Sequence, residues 1–308
     1  MAALELRHRA KDGASIFVRR WSPDGAPARG IVHIAHGMAE HSARYARLAE
    51  RLNRAGWLVQ ANDHRGHGLS APMPADLGHV ADHDGWRRLI DDQLELLEAA
   101  RAEHPGAKLV LIGHSMGSFM AQQILGERPT LVDAALLSGS DGKPLGAARV
   151  GRLVVKIERL RLGPRGKSKL IGKMTFGAFN KRFAPNRTEF DWLSRDPGEV
   201  DAYVTDPFCG FDCSTQFWAD LLAALRDIAT PGVRHAIAED LPVLILSGDR
   251  DPVGANLAEL IAGYRAAGLK RLTVKFYPDG RHEMLNETNR DEVMNDIADW
   301  LEREVPCT

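Results

Sequence analysis

The sequence predicts an α/β fold: a mostly parallel central sheet flanked by helices, with a helical cap inserted into it. Three observations predict this. Short apolar β-forming runs alternate with amphipathic helical patterns along most of the chain. The alternation breaks between about residues 145 and 228, where no buried strand is evident, and then resumes. Residues 109–117, LVLIGHSMG, pass from an apolar run into a helical pattern across a serine held between two glycines. At 308 residues with 44% hydrophobic content, the chain is long enough to bury a full core as one large domain or a core with an inserted subdomain.

Taken in order, Leu4–Arg9 and Ser15–Trp21 read as an opening pair of strands, and residues 30–36 (GIVHIAH) and 57–62 as buried ones. Between them, 42–55 reads as one helix with Tyr45, Leu48, Ala49 and Leu52 on its apolar face. Residues 86–102 repeat the pattern with Leu89, Ile90, Leu94 and Leu97. Further strands are expected at 108–113, 132–137, 243–247 and 272–277, each followed by a loop where chemistry can sit. The division that follows is 1–144 as the first part of the sheet domain, 145–230 as the cap and 231–308 as the second part. Neither repeats nor low-complexity tracts suggest another architecture.

The GxSxG run carries the chemistry. A nucleophile that projects above a sheet sits on a pinched strand-to-helix turn, where a Cβ at the flanking positions would clash; Gly113 and Gly117, on either side of His114 and Ser115, remove those clashes. The helix starting at Ser115, with Phe119, Met120, Ile124 and Leu125, aims its N-terminal N–H groups at the reacting centre, so Met116 N–H can donate to an oxyanion. A serine hydroxyl needs a histidine to take its proton and a carboxylate to orient that histidine. After the late strand, LPVLILSGDRDPV offers Asp249 and Asp251, and His282 alone among the histidines lies downstream of them, in the loop after the last strand. His36, His64, His67 and His114 lie at strand ends upstream of the nucleophile or directly beside it, and read as shaping the pocket floor or bonding to loops.

Composition bounds the partners. Forty Lys plus Arg against 41 Asp plus Glu give no reason to expect nucleic-acid binding. Three cysteines, Cys209, Cys213 and Cys307, argue against a disulfide framework and suit a reducing compartment, and without nearby ligand spacing they do not make a metal site. The N-terminus has charges where a signal peptide needs an apolar core, and no run is long enough to span a bilayer, so a cytoplasmic protein is expected.

The segments HGMAEHSARY (36–45), DHRGHGLS (63–70), GHSMGS (113–118), SGDRDPV (247–253) and GRHEMLNE (280–287) resemble the monoacylglycerol lipase and lysophospholipase branch of the α/β-hydrolase superfamily. The resemblance covers the whole core. It implies the α/β-hydrolase fold, with Ser115 as nucleophile and His282 as base. It selects Asp251 over Asp249, because the family's acid is the fourth residue of a GxxD turn, here 248–251. It also makes Met38 N–H the second oxyanion donor beside Met116, and DHRGHGLS a structural loop. The implied reaction is ester hydrolysis through an acyl-enzyme on monoacyl lipids, with no metal or organic cofactor. Alternatives on the same fold are a short-chain esterase, a thioesterase, a lactonase or a serine aminopeptidase; the last usually resembles HGGPG where this chain has HGMAE. A non-catalytic binding protein on this fold is the alternative of another class, and it would be expected to lack a triad member.

From Arg149 to Arg182 the cap holds eleven Lys or Arg against the single acid Glu158. Val150, Leu153, Val154, Ile157 and Leu160 form an apolar stripe opposite Arg149, Arg152, Lys156 and Arg159. One reading is transient contact with an anionic membrane surface. The other, which we favour at this point, is a cap helix packed on its own core with a solvated basic face, because every cap must bury one face somewhere. Phe176, Phe179, Phe183, Phe208, Phe211, Phe217 and Trp218 add aromatic mass, as an acyl tunnel or as the cap's internal core.

Overall fold

A computed structural model describes residues 3–24, 28–142 and 148–306, without the side chains of residues 148 and 149. Eight strands form one sheet: β1 (Leu4–Arg9), β2 (Ser15–Trp21), β3 (Gly30–Ala35), β4 (Trp57–Asn62), β5 (Lys108–His114), β6 (Ala134–Ser138), β7 (Val243–Gly248) and β8 (Leu272–Tyr277), in the order β1-β2-β4-β3-β5-β6-β7-β8. The β1–β2 and β2–β4 pairs are antiparallel and all others parallel. The α/β expectation is met.

The helices are α1 (Ala46–Arg54), α2 (Gly85–Glu103), α3 (Met116–Glu127), α4 (Ala148–Leu162), α5 (Lys169–Asn180), α6 (Pro197–Thr205), α7 (Thr215–Ile228), α8 (Pro231–His235), α9 (Leu257–Ala266) and α10 (Arg290–Glu304). The period of two along the buried strands sorts side chains between two layers. Ile31, Leu109, Leu111, Leu137 and Ile245 face one core with Leu89 and Ile90 of α2 and Ile124 of α3. Their neighbours Val32, Val110, Ile112, Leu136 and Leu244 face the other with Leu48 of α1 and Ile297 and Leu301 of α10. Covering both faces is what requires the near-continuous apolar runs of the parallel strands. Truncating a buried leucine such as Leu111 to alanine is worth about 2–5 kcal/mol.

Parallel register brings the carboxyl ends level: Ala35 pairs with Gly113, His114 with Ser138 and Gly248 with Tyr277. Loops leaving these ends therefore meet above one edge of the sheet, where ligands of open α/β sheets bind.

Three local expectations shift. The helix expected over 42–55 is a 3₁₀ turn, Ser42–Tyr45, followed by α1, because the Asp63 carboxylate accepts from the N–H and hydroxyl of Ser42 and pins the first turn separately. The strand expected from 132 begins at Ala134, since Asp133 turns its carboxylate back onto Leu109 N–H. The helix expected from Ser115 begins at Met116, leaving Ser115 outside it.

Helices α4 to α8 all lie between β6 and β7. The boundary at 144/145 and Cys307 fall outside the described residues. On α4 the sequence expectation of an inward apolar stripe is overturned. Val150, Leu153, Ile157 and Leu160 are 59%, 59%, 53% and 81% exposed. The helix instead buries Val155 and Glu158, the latter accepting from Ser168 Oγ and Arg161, while Val154 is half-buried. A side-chain hydrogen-bond partner for Glu158 turns the helix about its axis, away from the face hydrophobicity alone would choose. Among the described residues no helix is long and apolar enough to cross a membrane.

Candidate active site

β5 delivers Ser115 onto a turn with φ 50° and ψ −118°, a left-handed strain that a side chain adopts only when its surroundings impose it. The surroundings are the two glycines. A Cβ on Gly113 would lie 2.4 Å from the Gly117 carbonyl oxygen, and one on Gly117 would lie 2.0 Å from that of Ala35. Ser115 N–H donates to Ser138 O at 2.8 Å, tying the elbow to β6. Met116 opens α3, so its N–H has no intrahelical acceptor.

The loop after β8 places His282 above the sheet, buried, with Nδ1–H donating to both Asp251 oxygens at 3.0 Å. That bond leaves Nε2 as the basic nitrogen. Burial opposes the imidazolium, but the Asp251 charge and its hydrogen bonds outweigh burial and hold the His282 pKa above the ordinary histidine value. Asp249, the other aspartate of the turn, is exposed, and no bond links it to His282. The two loops touch: a Cβ on Gly248 would lie 2.0 Å from Gly280 O. Gly139, past β6, leaves room for the imidazole, since a Cβ there would sit 2.7 Å from His282 Cε1. His114, with its ring 4.8 Å from that of His282, is held down to about 4 by burial and by the charge of His282, and stays neutral.

The turn after β3 supplies the facing wall. Gly37, Met38, His114, Ser115 and His282 line a common space of about 530 Å³, and Met38, Ser115 and Met116 line a second of about 500 Å³. His36 Nδ1–H donates to Gly37 O at 2.7 Å, and the Glu40 carboxylate accepts from Gly37 N–H at 2.5 Å. His64 donates its backbone N–H to His36 Nε2 and its Nε2–H to His36 O, both at 3.0 Å. Burial keeps His36 well below the ordinary value and His64 at about 3, so both act as fixed neutral bonders. Asp63 accepts from Ser42 and Leu69 N–H, which makes DHRGHGLS a loop-bracing segment.

Sequence reasoning missed the charges behind this wall. Arg44 donates to both Glu283 oxygens at 2.6 Å and to Glu40 at 2.8 Å, a buried bridge between the turn after β3 and the residue following His282. Burial alone would raise Glu283, and the Arg44 guanidinium instead holds it low. Trp192, whose ring centroid lies 4.9 Å from that of His282, and Tyr203, whose hydroxyl donates to Ala39 O at 2.9 Å, come from the stretch between β6 and β7. The i,i+4 pair Glu40/Arg44 and the acid next to His282 were the visible signals; nothing in the sequence pointed at Trp192 or Tyr203.

A separate group, His41, Asp206 and Cys209, brings its ligand atoms within 4.8 Å of one another. His41 Nε2 is already bonded to Asp206 at 2.9 Å, and burial pushes the Cys209 thiol far up, so the group reads as a hydrogen-bonded pair beside a protonated thiol.

The sheet, its order and the serine elbow at the carboxyl end of β5 define the α/β-hydrolase class. The family described as serine aminopeptidase, S33, matches residues 26–289, and the chain belongs to that family. The chain is 30% identical to a monoacylglycerol lipase of Mycolicibacterium smegmatis, over 94% of this chain and 93% of that one. It is 28% identical to the human monoglyceride lipase, over 94% and 88%. Its fold matches a thermostable carboxyl esterase from Bacillus coagulans, solved in complex with glycerol, with a TM-score of 0.88 at 26% identity, covering 98% of this chain and 99% of that one.

Proposed function

We propose that this protein is a serine carboxylic ester hydrolase acting on monoacyl lipids, monoacylglycerols or lysophospholipids. Ser115 is the nucleophile, His282 the base, Asp251 its orienting acid, and Met38 and Met116 N–H the oxyanion donors. His282 Nε2 takes the Ser115 proton as the hydroxyl attacks the ester carbonyl. The two N–H groups hold the tetrahedral oxyanion, and His282 then protonates the departing alcohol. Water, activated by the same imidazole, releases the fatty acid. Each interaction strengthens as charge develops, which is where catalysis resides.

The observation that carries this reading is that two different spaces open from one serine. The space of about 500 Å³ runs between Phe119, Val154, Phe176, Trp218 and Leu221 and suits an acyl chain. The space of about 530 Å³ reaches Asn180, Lys173, Glu189 and His282 and suits a polar alcohol portion. A monoacyl lipid has one part of each kind. The lipases and the esterase it resembles support the ester assignment. The oxyanion turn reads HGMAE where the aminopeptidase branch usually resembles HGGPG, which favours the ester reading over a peptidase.

The stretch 145–230 is read as the cap of this site. Its α4 carries the exposed Val150, Leu153, Ile157 and Leu160 beside exposed Arg152, Lys156 and Arg159. Apolar side chains that face water beside a row of cations suit transient docking on an anionic lipid surface, from which a monoacyl lipid enters past Val154 and Met174.

The test is hydrolysis of monooleoylglycerol, oleoyl lysophosphatidylcholine and p-nitrophenyl esters from acetyl to palmitoyl. The expected result is a preference for long monoacyl substrates. Activity confined to acetyl and butyryl esters would refute the lipid assignment and leave a small-ester hydrolase.

A further inference from the structure

We propose that Tyr203 is a positioning residue for the oxyanion loop: by donating to the Ala39 carbonyl from the inserted helices, it holds Met38 N–H in its donating orientation. The proposal rests on the oxyanion role assigned to Met38 above.

The turn 37–40 is not self-sufficient. Ala39 has φ 55°, a left-handed conformation that costs an L-residue about 1–2 kcal/mol and persists only where neighbours enforce it. Upstream, Gly37 is fixed by groups adjacent in the chain, its N–H by Glu40 and its carbonyl by His36. The strained residue itself is fixed from elsewhere. The Ala39 carbonyl accepts from Tyr203 Oη–H at 2.9 Å and from Gly210 N–H at 3.0 Å, and both donors belong to the stretch between β6 and β7. Among the described residues Met38 N–H, one residue before Ala39, has no protein acceptor. Its direction is therefore set by the backbone on either side of it.

Tyr203 is built for this task. Its ring is buried, lies 5.0 Å from that of Phe190 and sits beneath the Arg44 guanidinium at 4.9 Å. A Cβ on Gly210 would come within 3.1 Å of Phe190 and 3.3 Å of the Tyr203 ring, so glycine there lets both donors converge on one oxygen. The phenol has a single proton, and burial keeps it on the oxygen, so the hydroxyl remains a donor throughout the working pH range. Without it, one of the two bonds holding Ala39 is lost, the residue relaxes toward ordinary φ, and the adjoining peptides rotate with it. Losing an oxyanion donor outright costs about 10²–10³ in rate, and misaligning one costs less.

The experiment compares wild type with Tyr203→Phe on p-nitrophenyl butyrate, and measures inhibition by an alkyl trifluoromethyl ketone, which adds to the serine and places an oxyanion in the hole. The expected result is a fall in kcat of about tenfold with KM unchanged, and a matching loss of ketone affinity. Val200→Ala loosens the packing of α6, which carries Tyr203, but keeps the hydroxyl, and is expected to retain kcat and ketone affinity within twofold. Wild-type affinity in Tyr203→Phe, or equal losses in both variants, overturns the assignment of Tyr203. A wild type that the ketone does not inhibit overturns the serine and oxyanion reading itself, and this proposal with it.

Discussion

Arg44 and Glu283 form a two-point ion pair, with both guanidinium–carboxylate contacts at 2.6 Å, joining the loop after β3 to the loop after β8. Each side chain is largely withdrawn from water, and Arg44 also answers Glu40. Arg44→Met leaves two buried carboxylates without a counter-charge. Breaking a buried pair from one side costs about 3–5 kcal/mol, so urea unfolding is expected to show a loss of that size. The double change Arg44→Met with Glu283→Gln is expected to recover part of it. Equal stability of Arg44→Met and wild type would show that the bridge is not a structural element.

The raised pKa of His282 fixes the sign of the pH dependence. A base must be neutral in the free enzyme, so kcat/KM is expected to fall toward acid through a limb lying above the ordinary histidine value of 6.5. Asp251→Asn removes the charge that raises it, and so moves the limb down while lowering kcat by about 10⁴. Asp249→Asn is expected to leave both within twofold. A pH–rate profile of the three proteins checks this, and the opposite ranking of the aspartates would reassign the acid.

Gly117→Ala is expected to prevent native folding, because the new Cβ would meet the Ala35 carbonyl at 2.0 Å and backbone cannot step aside. Overpacking of this kind costs about 3 kcal/mol or more. Gly232→Ala, which has nothing within 4 Å and lies in helix α8, is the matched control and is expected to be neutral or slightly stabilising. Thermal denaturation separates the two.

Leu153→Ser, Ile157→Ser and Leu160→Ser together remove most of the exposed α4 stripe. Folding stability is expected to change by no more than about 0.5 kcal/mol per site, since these side chains already face water. Binding to vesicles containing phosphatidylglycerol is expected to drop sharply, while kcat/KM on soluble p-nitrophenyl butyrate stays the same. Neutralising Arg152, Lys156 and Arg159 is expected to weaken the same binding by on the order of 10²-fold at low salt, at about 1 kcal/mol for each cation. Vesicle co-sedimentation gives the result directly, and unchanged binding in both variants would remove the membrane from the account.

Much of the fold was legible because the parallel strands are buried on both faces. LVLIGH, GIVHIA and VLILSG are apolar at most positions, and such runs stand out in a single sequence. Ser115 and the two candidate aspartates stand out because glycines mark the turns that hold them, and His282 because it alone among the histidines follows them, in the loop after the last strand. Chain order alone leaves Asp249 and Asp251 open; the resemblance selects Asp251 by its place in the GxxD turn, and in the fold it is the Asp251 carboxylate that meets the imidazole. The face of α4 was misjudged because hydrophobic periodicity gives one stripe and says nothing of a buried Glu158 with its own bonding partners. Tyr203 and Trp192 were beyond reach, since each meets the site through a residue more than eighty positions away.

The central claim is an acyl-enzyme on Ser115, and rapid-quench mass spectrometry of the protein turning over p-nitrophenyl butyrate tests it most directly. The account predicts a butyryl adduct on the peptide containing Ser115, formed in step with a stoichiometric burst of p-nitrophenol, with both absent from Ser115→Ala. Full turnover by Ser115→Ala, or an adduct on another residue, would contradict it.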